Sequence, residues 1–114
     1  MTLTIWHNPR CTKSRQTLAL LETHGHAPQV RRYLDDPPSE ADLRAAATAL
    51  GVGPMNMMRA KEPEFKTAGL TKDSPDDALF AAMARFPKLI ERPIVFVGDK
   101  AAIGRPPEAV LALL

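Results

Sequence analysis

A lone cysteine is the residue of this chain best placed to act as a nucleophile. Cys11 is the single cysteine among 114 residues, and it stands between a short apolar segment and a predicted helix. A thiolate at a helix N-terminus is stabilised by unpaired backbone N–H groups and by the positive end of the helix dipole. Its neighbours are polar or basic, which is not typical of a core: Arg10, Thr12, Lys13, Ser14 and Arg15. The sequence therefore predicts a reactive thiol rather than a small buried side chain.

Two neighbours of Cys11 bear on its chemistry. Ser14 lies three residues later, where a dithiol oxidoreductase carries its second cysteine, so exchange through an internal disulfide is excluded. The Ser14 hydroxyl either hydrogen-bonds the thiolate and lowers its pKa or is an ordinary first-turn serine. His7 either supports Cys11 through charge or loop hydrogen bonds or packs beside Trp6, and we favour the supporting role.

Composition excludes several classes of protein. One cysteine supplies neither an internal disulfide nor a cysteine-based zinc cluster, and we expect no bound metal or cofactor. The net charge of +2 and the 5% aromatic content do not indicate a nucleic-acid partner. No stretch approaches the ~20 apolar residues of a membrane helix, and no signal peptide is visible. We therefore expect a soluble, cytoplasmic protein whose thiol stays reduced.

The N-terminal part of the chain has the pattern of a β-α-β unit. A β-prone run over Thr2 to Trp6 is broken by Asn8-Pro9, and leucines from Thr12 to about His24 suit a helix that stops at Gly25. Weak alternation over Gln29 to Leu34 predicts a second strand.

A helical block of about residues 39–90 follows. Ser39 and Asp42 form a capping-box pattern at the start of a helix that reaches Leu50, and residues 54–70 are cut by prolines and Gly69 into short helical pieces. Ser74 as N-cap and Pro75 at the first helical position predict another helix, which Phe86-Pro87 closes.

The last part of the chain predicts a hairpin and a short helix. Ile94 to Val97 and Lys100 to Ile103 flank a Gly98-Asp99 turn, and Pro106 to Leu114 begins with two prolines. The whole order, β-α-β then β-β-α, is that of a thioredoxin-like α/β fold. We therefore predict one domain over residues 1–114 with a helical subdomain inserted at about 39–90. In this fold the Cys11 loop faces the loop that holds Arg92-Pro93.

Five blocks in order resemble the glutaredoxin-coupled arsenate reductase family. They are His7-Asn8-Pro9-Arg10-Cys11-Thr12-Lys13-Ser14-Arg15, Tyr33-Leu34 with Pro37-Pro38, Arg59 with Glu62-Pro63 and Gly69-Leu70, Glu91-Arg92-Pro93-Ile94-Val95, and Gly104-Arg105-Pro106-Pro107-Glu108. The resemblance implies a thioredoxin-like fold and reduction of arsenate to arsenite with electrons from glutathione and glutaredoxin. It also implies that Cys11 is the nucleophile and that Arg59, Arg92 and Arg105 bind the anion.

The residue types agree with that chemistry. Arsenate is a tetrahedral oxyanion, and guanidinium groups stay charged and bind two of its oxygens at once. A thiol–arsenate adduct at Cys11 would be followed by attack of glutathione as co-substrate, leaving a mixed disulfide for glutaredoxin. We expect four residues to support the site: His7, Ser14, Arg15 and Pro93. Pro93 occupies the position where thioredoxin-like folds usually hold a cis proline.

Three other functions agree less well with the sequence. A cysteine phosphatase needs C-x5-R, and Thr17 stands where that arginine would be. A regulator of the same superfamily that binds RNA polymerase typically carries C-x-x-C, which Ser14 breaks. A glutathione-dependent thiol reductase of the same fold remains an alternative, although it would not need Arg105.

Overall fold

A mixed four-stranded sheet is built from the first and last parts of the chain. The computed structural model describes residues 2–114. The strands are β1 Leu3–Trp6, β2 Gln29–Arg31, β3 Ile94–Val97 and β4 Lys100–Ile103. Their order across the sheet is β2-β1-β3-β4, with β1 parallel to β2 and the other two pairs antiparallel. The predicted hairpin is confirmed, with Gly98 at a φ of 60° in its turn.

Helices of two kinds complete the secondary structure. The α-helices are α1 Thr12–Thr23, α2 Glu40–Leu50, α3 Pro63–Thr67 and α4 Asp76–Arg85. The 3-10 helices cover Pro54–Met57, Pro87–Leu89 and Pro107–Leu113, and the last of these replaces the predicted C-terminal helix. Among residues 2–114 no helix has the length and apolar character that crossing a membrane requires.

The chain divides into two compact units. The first contains the residues through Asp36 together with Arg92–Leu114, and the second is Pro37–Glu91. The sheet and α1 belong to the first unit, and α2, α3 and α4 belong to the second. The description of residues 1–114 as one domain with an insertion stays a prediction.

The core of the first unit fixes α1 against one face of the sheet. Ile5 of β1 and Val95 of β3 are register partners, and both pack with Leu21 of α1 and with Val110, all four fully buried. Burial of each such side chain contributes about 1.5–3 kcal/mol. Because α1 is anchored in this way, the loop that precedes it ends at a fixed place.

The second unit packs α2 against α4. The predicted capping box is present: the Asp42 N–H donates to Ser39 Oγ, and the Ser39 N–H donates to Asp42 Oδ2, each at 3.1 Å. Gly51 ends α2 with a φ of 71°, a left-handed conformation that favours glycine. An ion pair between Arg44 and Asp77, at 2.7 Å, links the two helices on their exposed side.

Two predicted boundaries are wrong. The second strand was expected to reach Leu34 but ends at Arg31, because the N–H groups of Asp35 and Asp36 turn back to donate to the Arg32 carbonyl. Ser74 is not an N-cap: its hydroxyl accepts from the Thr71 N–H at 2.8 Å, and Pro75 takes the cap position of α4. In both places a local turn forms hydrogen bonds with polar groups that the sequence pattern had placed in a strand or at a helix cap.

Candidate functional site

Cys11 is the N-cap residue of α1. Its backbone is extended, with φ −94° and ψ 123°, and its carbonyl accepts the first helical hydrogen bond from the Arg15 N–H at 3.0 Å. The Cys11 N–H donates in turn to the Asn8 carbonyl at 3.0 Å, which closes the loop after β1. The partly exposed sulfur therefore lies at the helix N-terminus, where the dipole favours negative charge.

The surroundings of Cys11 lower the pKa of its thiol. Burial is the largest single influence and acts in the opposite direction, raising the pKa. The backbone N–H of Ser14, the charge of Arg92, the backbone N–H of Lys13 and the Arg105 side chain all lower it, and together they outweigh burial. The thiolate is consequently more populated near neutral pH than that of an ordinary cysteine.

One arginine side chain contacts this sulfur, and a second arginine acts on it through its charge. Arg105 Nη1 lies 3.9 Å from Cys11 Sγ and donates to the Arg92 carbonyl at 3.2 Å. Arg92 stands just before β3, and Arg105 stands just after β4. Since β3 and β4 form a hairpin, its two open ends bring both arginines to the N-terminus of α1.

Both arginines precede a cis proline. The Arg92–Pro93 bond is cis, as expected at this position of the predicted fold, and the Arg105–Pro106 bond is cis as well. The second cis bond was not predicted, because nothing in the sequence distinguishes it from the common trans form. The Gly104 N–H donates to the Pro93 carbonyl at 2.9 Å, so the two proline-containing loops are joined directly.

Ser14 and His7 form a buried pair beside the Cys11 loop. His7 Nδ1 and Ser14 Oγ share a hydrogen bond of 2.7 Å, and Ser14 Oγ also accepts from the Asn8 N–H at 3.0 Å. The Ser14 hydroxyl is therefore engaged with the loop, and it is the backbone N–H of Ser14 that favours the thiolate. Burial lowers the pKa of His7, as do the charges of Arg32 and Arg15, so its ring is neutral near pH 7. His7 contacts the loop through a hydrogen bond and does not supply positive charge.

Arg15 holds the backbone of the same loop. Its Nη1 donates to the Pro9 carbonyl at 2.9 Å, and its Nη2 donates to Thr12 Oγ1 at 3.3 Å. These contacts tie the first turn of α1 to the residues before Cys11. Arg15 thus contributes to the shape of the loop.

Arg59 belongs to the second unit. Its N–H donates to the Leu89 carbonyl at 2.7 Å, and its guanidinium forms an ion pair with Glu62. Its role as an anion ligand stays a prediction from the resemblance.

The first unit thus offers a stabilised thiolate with two guanidinium groups nearby. This combination suits an oxyanion: the arginines offset its charge, and the sulfur can attack its central atom. Within residues 2–114 no group of three or more His, Cys, Asp or Glu side chains is placed to hold a metal ion. Gly104 joins the two proline-containing loops at the site, and the sequence pattern indicated no role of its own for this residue although it stands in the Gly104-Arg105-Pro106-Pro107 block.

The fold and the site define a class of protein: thioredoxin-like, with a single cysteine of lowered thiol pKa at the N-terminus of the first helix. The profile of the ArsC family matches residues 6–113. The chain belongs to the ArsC family.

Named relatives cover nearly the whole chain. It is 47% identical to proteins named arsenate reductase from Haemophilus influenzae, over 100% of both chains, and from Neisseria meningitidis serogroup A, over 96% of both. A solved structure of the arsenate reductase from Vibrio cholerae superposes with a TM-score of 0.95 at 52% identity, covering 100% of this chain and 98% of that one. The predicted fold class is confirmed.

Proposed function

We propose that this protein is an arsenate reductase that uses Cys11 as its nucleophile and takes its remaining electrons from glutathione and glutaredoxin. The observation that carries the proposal is the 3.9 Å approach of Arg105 Nη1 to Cys11 Sγ, at a helix N-terminus where the thiol pKa is lowered. A thiolate beside a fixed cation is suited to an anionic electrophile. The names of the relatives in the same family give arsenate as that electrophile.

The first step is binding and attack. Arg105 and Arg92 hold oxygens of arsenate, and Arg59 is the predicted third ligand. The Cys11 sulfur forms a bond to arsenic, and one arsenate oxygen takes up protons and leaves as water. The arginines offset the combined negative charge of the arsenate and the attacking Cys11 thiolate.

The second step transfers the electrons. A glutathione thiol attacks the Cys11 adduct, and the two sulfurs become a mixed disulfide between Cys11 and glutathione. Two thiols are oxidised to one disulfide while arsenic falls from the pentavalent to the trivalent state and leaves as arsenite. The overall change consumes arsenate, the Cys11 thiol and one glutathione, and it yields arsenite, the mixed disulfide and one water.

The third step restores the thiol from outside. Ser14 stands where an internal resolving cysteine would be, so the mixed disulfide passes to glutaredoxin by thiol–disulfide exchange. Because glutathione is the reducing pool of the cytosol, we expect the protein to act there.

The test is arsenite formation with glutathione and glutaredoxin present. We expect turnover by the wild type, none by Cys11→Ser, and a fall of about 10- to 100-fold in kcat/KM for Arg92→Ala and Arg105→Ala, the range expected for loss of a charge-assisted hydrogen bond. Arg85→Ala is the matched control, since Arg85 is an exposed residue of α4 and should leave kcat/KM unchanged.

The same assay separates the alternatives. Reduction of a glutathione mixed disulfide without arsenite formation would contradict the proposal and favour a thiol reductase. A folded protein with neither activity would favour the polymerase-binding regulator. Arsenite formation by the Cys11→Ser variant would rule out Cys11 as the nucleophile.

A further inference from the structure

Gly104 follows β4 and contacts Thr17 of helix α1. An ideal Cβ on this residue would stand 2.5 Å from Thr17 Oγ1, 3.1 Å from Thr17 Cγ2 and 2.7 Å from Pro93 Cγ. Real Cβ atoms essentially never approach other atoms under 3.0 Å, so any side chain here forces a displacement. The φ of Gly104 is not in the left-handed region, so space and not backbone conformation is what requires glycine.

The neighbours of Gly104 cannot move away easily. Thr17 is fully buried on the inner face of α1, and its hydroxyl donates to the Lys13 carbonyl at 2.8 Å, with a longer contact of 3.5 Å to the Gly104 carbonyl. Pro93 has a rigid pyrrolidine ring, and its own carbonyl accepts from the Gly104 N–H. Added bulk at Gly104 would therefore push the end of β4 outward.

Arg105 is the next residue, and it carries the guanidinium that reaches Cys11 Sγ. Thr17 lies on the same helix that begins at Cys11. The contact of Gly104 with Thr17 thus joins the segment that carries the sulfur to the segment that carries the arginine. We propose that Gly104 and Thr17 are positioning residues that set the distance between the Arg105 guanidinium and the Cys11 sulfur. The catalytic consequence of this spacing rests on the proposed arsenate chemistry, whereas the spacing itself does not.

The test is Gly104→Ala, with Gly53→Ala as the matched control. Gly53 has no atom within 4 Å of an added Cβ and a φ of −77°, so alanine fits there without displacement. For Gly104→Ala we expect the midpoint of Cys11 alkylation against pH to rise, and the KM for arsenate to rise about tenfold or more with a smaller change in kcat. Gly53→Ala should change neither quantity.

Rescue distinguishes positioning from general destabilisation. Thr17→Ala in the Gly104→Ala background removes both Thr17 atoms that the new Cβ meets, and it should move the alkylation midpoint part of the way back, because the Pro93 contact remains. Thr17→Val in the same background keeps the bulk of threonine and should not rescue. If Gly104→Ala does not fold, Thr17→Val alone serves, since it deletes the hydroxyl and should give a smaller shift in the same direction.

Two results would overturn the inference. One is an unchanged alkylation midpoint in folded Gly104→Ala, and the other is equal rescue by Thr17→Ala and Thr17→Val. The alkylation readout needs no arsenate. If the wild type makes no arsenite but Gly104→Ala still shifts the midpoint, the proposed function fails and the positioning role stands.

Discussion

Groups from three separate segments stabilise the thiolate of Cys11. The first turn of α1 supplies the N–H groups of Ser14 and Lys13, while Arg92 and Arg105 supply charge from the two ends of the β3–β4 hairpin. The first of these influences is local in sequence, and the other two depend on the completed fold. At the scale of single residues, the reactivity of the thiol is therefore partly a tertiary property.

Alkylation of Cys11 against pH measures that property. Because the folded pKa is lowered, the rate should rise through a midpoint below that of an ordinary cysteine measured under the same conditions. Arg105→Ala should move the midpoint upward, since it removes one of the groups that lower the pKa. Arg10→Ala is the control: Arg10 precedes Cys11 in the chain but is not among the groups that shift its pKa, so the midpoint should stay in place. Equal midpoints for wild type and Arg105→Ala would show that the 3.9 Å contact has no electrostatic effect.

Residue type and position indicated Cys11, and the family resemblance indicated Arg92, but neither showed what the neighbouring side chains do. Ser14 at the third position of the helix is visible in the sequence, whereas the choice of its hydroxyl between sulfur and His7 depends on where the β1 loop turns. The neutral state of His7 depends on burial and on Arg32, which follows β2. These assignments require coordinates because their partners come from other elements.

At the scale of secondary-structure elements, helix ends were predicted well where one local hydrogen-bond pattern dominates. The Ser39–Asp42 capping box and the Gly51 terminus of α2 follow from neighbouring residues only. The start of α4 was misjudged because Ser74 had a second partner available in the preceding turn. Sequence spacing identifies residues that could cap a helix. It does not show which of several N–H groups the side chain of such a residue will bind.

The difference between the two serines is measurable. Ser39→Ala should lower the free energy of unfolding by about 1 kcal/mol, because it removes the N-cap of α2. Ser74→Ala should cost less, since Ser74 caps no helix and accepts one hydrogen bond in an exposed turn. Urea denaturation of both variants tests this order. A larger loss for Ser74→Ala would contradict the assignment of the two caps.

At the scale of the whole molecule, the order of elements was predictable and the packing of the site was not. Strand and helix periodicities with proline and glycine breaks gave the β-α-β and β-β-α halves, and the structure contains both except that the last helix is 3-10. The close contact between Gly104 and Thr17 could not be predicted, because the two residues are 87 positions apart in the chain and a sequence does not show which glycine a helix will contact. Distances of this kind arise only when both halves of the sheet are assembled.

The cap position of Cys11 also has a cost in stability. Serine is among the best N-cap residues and cysteine is not, so the nucleophile occupies a place where another residue would hold α1 better. The lowered pKa partly offsets this: the thiolate stabilises the folded state above the unfolded thiol pKa, and that contribution is lost as pH falls through the folded pKa.

Cys11→Ser should therefore be inactive yet more stable than the wild type at a pH where the thiol is protonated, by an amount on the order of 1 kcal/mol. The advantage should shrink as the pH rises and the wild-type thiolate forms. Urea denaturation at an acidic and an alkaline pH measures both effects, with Cys11→Ala, which has no capping group, as the control. Equal stability of the serine and alanine variants would contradict this account. At this position the chain therefore carries a nucleophile in place of the residue that would stabilise α1 most.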